Sequence, residues 1–148
     1  MMRKTGWGLG LLIAVAVIGT VAWFSLFNKD IYLPDVDSIT RIEVRQNDFE
    51  QKAQQVSYVE EKAKIGKIYD FIHQRRTGWE KLMVTPPGVQ VLVHFYKGDK
   101  VLFHLYLLKN DRLLIGNKDG AFSHNIHKIE RTEIERLLGI GEPAPKDR

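Results

Sequence analysis

The run from Thr5 to Asn28 contains no charged side chain, and it constrains this chain more than any other feature. At about 1.5 Å per residue, a helix of that length crosses a hydrocarbon core of roughly 30 Å. Leu9, Leu11, Leu12, Ile13, Val15, Val17, Ile18, Val21 and Leu26 supply its apolar surface. Trp7 lies near one end, with Trp23, Phe24 and Phe27 near the other, the depths that amphipathic rings prefer. Arg3 and Lys4 precede the run, whereas Lys29 is offset by Asp30. That bias keeps the N-terminus cytoplasmic and places the rest of the chain outside. The expectation is a single-pass protein held in the membrane by residues 6–27. A removed signal peptide shares the basic start and apolar stretch, and cleavage near Ala22, after Thr20 and Val21, is the alternative, giving a secreted chain. Such a cut would leave Trp23, Phe24, Leu26 and Phe27 as a greasy new terminus, and the run is longer than a usual signal core.

The charge balance depends on the same leader. The chain of 148 residues carries 22 basic and 18 acidic side chains, a net +4. Arg3, Lys4 and Lys29 lie in residues 1–29, so 19 basic face 18 acidic groups beyond them. The surplus reports orientation, and nucleic acid is not an expected partner. There is no cysteine, which excludes disulfides, thiolate metal sites, a cysteine nucleophile and an acylated lipoprotein cysteine. The remainder, roughly 115 residues, is long enough to bury a core without such staples.

Four segments are read from the chain: anchor or signal peptide 1–27, linker 28–38, an extracytoplasmic α+β domain 39–140, and a flexible tail 141–148. The linker NKDIYLPDVDS is turn-rich. In ITRIEVR, Thr40, Ile42 and Val44 alternate with Arg41, Glu43 and Arg45, which is strand period, and QQVSYVE reads as the return strand. Glu60 to Arg76 has helical spacing, with Ile65, Ile68, Tyr69 and Ile72 on one stripe and Gly78 past the end. Trp79 to Val84 reads as a short strand. VQVLVHFY, VLFHLYLL, RLLIGN and AFSHNI, separated by turn residues, form an antiparallel meander. A last helix is expected from Thr132, whose spacing to Glu135 fits a capping box, to Gly139. The fold class is α+β: an N-terminal transmembrane helix, then an antiparallel sheet of about five to seven strands with two helices.

From Ile39 to Leu138 the element order, with IEV, KIYDFI, VLVHFYKGDK and the final EIERLLG, resembles small exported bacterial domains of unknown function, many of them lipoproteins. The resemblance implies an exported setting and no activity. The chain departs from the lipoprotein members in having no acylation cysteine and a long apolar leader instead.

The meander yields the candidate site. Val91, Val93 and Phe95 share one strand face, as do Phe103, Leu105 and Leu107, so odd residues must pair with odd ones. This favours a three-residue loop, Gly98-Asp99-Lys100, and sets His94 opposite His104. The same parity through Lys109-Asn110-Asp111 pairs Leu105 with Ile115 and Leu107 with Leu113. The second face then carries Leu92, His94, Tyr96, Leu102, His104, Tyr106 and Leu114. A semi-apolar face needs a cover: the N-terminal hairpin, a second copy, a partner or a ligand. Leu92, His94, Tyr96, His104 and Tyr106 are the candidate ligand- or partner-binding residues. His94 and His104 are candidate metal ligands, with His124 or His127 as a conceivable third.

Other chemistry is sparse. Ser38, Ser57 and Ser123 lie in no nucleophile-elbow context, Glu60 and Glu61 are adjacent and do not converge, and phosphate-binding Gly-rich loops are absent. Lys97, Lys100 and Lys118 gather at one sheet end with Asp99 and Asp119 among them, and Arg75, Arg76 and Trp79 form a further basic-aromatic group. The expectation is a noncatalytic, membrane-anchored extracytoplasmic interaction module, not an enzyme and without a cofactor, meeting a protein partner or a second copy of itself. The alternative is a small-ligand or metal sensor built on the face with His94 and His104.

Overall fold

The computed structural model describes residues 30–48, 53–82 and 89–141. The leader and the C-terminal tail lie outside them; among the described residues, no helix is long and apolar enough to cross a membrane. The elements are β1 (Arg41–Asp48), β2 (Ala53–Val59), α1 (Lys62–His73), β3 (Glu80–Lys81), β4 (Val89–Lys97), β5 (Lys100–Leu108), β6 (Arg112–Asn117), β7 (Gly120–Asn125) and α2 (Lys128–Leu138). They build one antiparallel seven-stranded sheet in the order β2-β1-β4-β5-β6-β7-β3. The α+β expectation of a sheet with two helices therefore holds for the domain.

Alternation decides which side of the sheet is buried. Ile42 and Val44 of β1, Val91, Val93 and Phe95 of β4, Phe103, Leu105 and Leu107 of β5, and Leu113 and Ile115 of β6 all enter the core. Ile65, Ile68, Phe71 and Ile72 of α1 and Ile134, Leu137 and Leu138 of α2 cover that face. Phe95 and Phe103, directly opposite, stack with centroids 4.0 Å apart. The expected stripe on α1 is correct except that Phe71 is buried where Tyr69 is only partly so.

Residues expected as linker are docked from Ile31 onward. Ile31 and Ile39 are buried, the Ile31 N–H donates to the Arg76 carbonyl (3.1 Å), and Asp35 caps a single 3-10 turn at Val36–Ser38. The apolar side chains in this otherwise turn-rich stretch account for its docking.

Two expectations change. The helix α2 starts one turn before Thr132, because Glu130 accepts from the His127 N–H (2.7 Å) and completes a capping box there. Glu135 instead pairs with Arg131 at 2.5 Å. Arg131, 8% exposed, also donates from its guanidinium to the Leu108 carbonyl (2.5 Å) and to Gln90 (2.8 Å), the bulged residue of β4. The second change is the β4–β5 turn. Lys97 pairs with Lys100, so the loop is the two-residue Gly98-Asp99 rather than three residues. A bulge at Leu102 restores odd-to-odd pairing, since Tyr96 lies opposite Val101 while Phe95 lies opposite Phe103. Gly98, at φ +57°, makes the tight turn possible, and Thr40 holds it by accepting from the Gly98 N–H (2.9 Å). The Lys109-Asn110-Asp111 loop is as expected, with Asp111 left-handed at φ +53°.

Candidate functional site: the second face of the sheet

The residues of β1, β4, β5 and β6 that alternate with the core positions line the opposite face of the sheet, where Leu108 and Leu114 are buried. His94 lies opposite His104, Leu92 opposite Tyr106, and Tyr106 opposite Leu114, as the parity argument requires. Tyr96 instead faces Val101, because the bulge displaces Leu102. The structure thus brings Leu92, His94, Tyr96, His104 and Tyr106 onto one face, all half-buried.

The N-terminal hairpin does not cover this face; it widens it. β1 pairs beside β4, setting Arg41 opposite Tyr96, Glu43 opposite His94 and Arg45 opposite Leu92. β2 adds Tyr58 opposite Glu43 and Val56 opposite Arg45. The Arg41 guanidinium lies 4.6 Å from the Tyr96 ring centroid and 5.7 Å from that of Tyr58. Such stacking suits a planar cation held over aromatic faces. Glu43, only 5% exposed, is ion-paired to Arg45 on its own strand. Arg41, Glu43, Arg45 and Tyr58 are site residues that the sequence pattern does not single out. Their alternation is visible in the chain, but the strand beside which β1 pairs is not.

At the centre, the two histidine rings meet edge to face with centroids 4.7 Å apart and Nδ1 to Nδ1 at 3.0 Å. That contact is a hydrogen bond only if one Nδ1 carries a proton and the other accepts it, so at least one ring is neutral. Desolvation lowers the pKa of His94 below its ordinary 6.5, with smaller lowering effects from His104 and Arg45 and a raising effect from Glu43. Desolvation likewise lowers that of His104. His94 Nε2 and Arg41 Nε are buried and have no hydrogen-bond partner. Tyr106 closes the next position, lying over Gly116: a Cβ there would meet its ring at 3.5 Å.

The other histidines do not join this pair. His124 follows Phe122 to the core side and packs on Trp79, with centroids 5.2 Å apart. His127 caps α2, and His73 stacks on Tyr69. Among the described residues, no group of three His, Asp or Glu side chains is placed to hold a metal ion. The His94–His104 pair offers two imidazole nitrogens, and the nearest acid, Glu43, is committed to Arg45. Arg75, Arg76 and Trp79 do not form a surface patch either. Arg75 lies over Phe71 and binds Glu130 of α2 at 2.6 Å, and the Trp79 indole N–H donates to the Arg75 carbonyl. Arg75 and Trp79 thereby tie the two helices to the core.

No family model matches the chain, and no curated protein does. Among solved structures it is similar to a crystal structure described as a "Putative Lipoprotein from Clostridium perfringens", with 10% identity over 73% of this chain and 99% of the other, at a TM-score of 0.43.

Proposed function

We propose that this is a membrane-anchored protein whose extracytoplasmic domain is a noncatalytic protein-interaction module. The leader supports the anchor and its orientation: residues 6–27 are uncharged, long enough to span, and preceded by Arg3 and Lys4. The observation that carries the interaction reading is β2. It ends the sheet, and its sequence AQQVSYV has no charge, proline or glycine. Edge strands are usually blunted by such residues, because an unpaired strand edge is a template for another strand. The opposite edge, β3, is two residues long and charged, Glu80 and Lys81. On β2, Val56 is 42% and Tyr58 58% exposed, continuous with the face that carries Arg41 and His94.

A second copy is the favoured partner. Antiparallel pairing about a twofold axis at Val56, the midpoint of β2, sets Val56 against Val56 and Tyr58 against Gln54. No like charges then meet across the paired edges. The cysteine-free chain makes the test clean. Val56→Cys in intact membranes is expected to form a disulfide-linked dimer on mild oxidation, whereas Lys67→Cys on the exposed side of α1 is not. Monomer alone from Val56→Cys, with equal yields at both sites, would count against homotypic pairing.

One observation favours a second reading, a ligand or metal sensor at the histidine pair: the unpartnered His94 Nε2 beside a 3.0 Å Nδ1 contact. Equilibrium dialysis of the full chain in detergent with zinc or copper tests it. Equal uptake by wild type and the His94→Ala/His104→Ala variant would sink the metal version.

A further inference from the structure

The start of β5 overhangs its neighbour. β5 begins at Lys100 but pairs with β6 only from His104, opposite Gly116, and β6 ends at Asn117. On that side Lys100, Val101 and Leu102 therefore run past the end of β6, with only β4 beside them, and the bulge at Leu102 turns this overhang away from the regular pleat. The incoming chain closes the third side: Asn117 donates from its side-chain amide to the Tyr32 carbonyl (3.2 Å), and the Lys118 ammonium lies 5.2 Å from the Tyr32 ring centroid. The result is an open pocket of about 520 Å³, walled by Tyr32, Pro34, Lys100, Val101, Leu102 and Lys118 among others.

Its chemistry is one-sided. No acidic residue lines it, and among the described residues neither Lys100 nor Lys118 is ion-paired with a carboxylate. Asp119, the nearest acid in sequence to Lys118, sits in the β6–β7 turn, where its N–H donates to the Asn117 side chain. Two cations over Val101, Leu102 and Pro34 suit a ligand with an anionic head and an apolar body. Place decides which one. Tyr32 is five residues beyond Phe27, the last aromatic of the leader, and five extended residues span at most about 18 Å. A pocket so close to the end of an anchor meets the headgroups of the bilayer that the anchor spans.

We propose that this pocket binds an anionic glycerophospholipid of the anchoring bilayer. Lys100 and Lys118 take the phosphate, while Val101, Leu102 and Pro34 take the glycerol and the first acyl carbons. The inference rests on the anchor reading and is independent of strand pairing at β2. Such a contact fixes the sheet end at the membrane surface and sets the orientation in which β2 is presented.

Hydrogen exchange on the full chain in lipid nanodiscs tests it. In discs with 30 mol% phosphatidylglycerol, amides of residues 99–104 and 116–119 are expected to exchange several-fold more slowly than in pure phosphatidylcholine discs. The Lys100→Gln/Lys118→Gln variant is expected to lose that difference while exchange in α1 stays the same. No segment-specific slowing, or slowing that survives in the double variant, overturns the proposal. So does equal slowing by millimolar inorganic phosphate in phosphatidylcholine discs, which would make the site one for free phosphate. A chain that does not co-purify with discs breaks the anchor reading instead. The pocket is then decided by the same exchange measurement with dihexanoyl phosphatidylglycerol in solution, where absence of slowing overturns it.

Discussion

The two faces of one sheet are built from alternating residues of the same strands, yet they solve different problems. The core face holds Val93, Phe95, Phe103, Leu105 and Ile115, each at or below 1% exposed, and two helices complete it. The second face holds Arg41, Glu43, Arg45, His94, His104 and three tyrosines, and none of the helical residues of the core cluster packs on it. On the first face, burial of apolar surface stabilises the fold directly. On the second, the stacked Arg41, the Glu43–Arg45 ion pair and the histidine pair hold polar groups in place, while His94 Nε2 and Arg41 Nε are left without a hydrogen-bond partner. A difference of that kind separates residues kept for stability from residues free to serve contact.

Substitution tests that separation, and the largest effect belongs to the core face. Phe103→Ala removes one ring of a buried stacked pair and is expected to cost about 3–5 kcal/mol in urea unfolding. A cost below about 1 kcal/mol would mean that the layer between sheet and helices is not the core. Next comes Arg131→Ala at the sheet end, expected to cost about 3 kcal/mol. It strands the Leu108 carbonyl, Gln90 and Glu135 together.

The histidine pair probes the second face through pH. A histidine whose folded pKa is lowered takes up its proton more readily in the unfolded chain. Its contribution is fully present above the ordinary 6.5 and is lost as pH falls through and below that value. Melting temperature should therefore fall between pH 7.5 and about 5 in the wild type. The slope should flatten in His94→Gln/His104→Gln, which keeps Glu43, Arg45, Arg41, Tyr96 and Tyr106 around the site. Glu130 titrates in a separate window. The His127 N–H, then Arg75, hold its carboxyl below its usual range, so its contribution is lost only at more acid pH. An unchanged slope in the double variant would show that the pair does not sense pH in this range.

The smallest effect on stability is expected at the edge. Tyr58 is largely exposed, and Tyr58→Ser should change unfolding by no more than about 0.5 kcal/mol. Its effect should appear instead as lower disulfide yield in the Val56→Cys background. If stability drops and the yield does not, Tyr58 belongs with the core-face residues in role.

Much of this is legible in the chain because strand parity is a strict rule. Phe95 opposite Phe103, His94 opposite His104 and Leu107 opposite Leu113 all come from keeping apolar residues on one side. Parity does not count loop residues, however. A two-residue turn with a bulge at Leu102 satisfies it as well as a three-residue loop, and the side chains of Val101 and Leu102 depend on which is used. The start of α2 is not legible for a local reason: His127 is not a usual capping residue, and Glu130, which accepts from its N–H, gains Arg75 as a partner from outside α2.

The α+β class, the charge-free run from Thr5 to Asn28, the alternation of the main strands and the histidine pair across β4 and β5 can all be read from the chain alone. These are local or nearest-neighbour matters, set by periods of two and 3.6 residues and by short turns. Tertiary packing was needed to place β1 beside β4, so that Arg41 and Glu43 join the histidines in one surface. Packing also leaves β2 at the edge and brings Tyr32 and Pro34 to wall a pocket with Lys100 and Lys118. Those contacts join residues roughly fifty to eighty-five positions apart. They are chosen by how the whole apolar surface is best covered, a sum over the chain that no local pattern records.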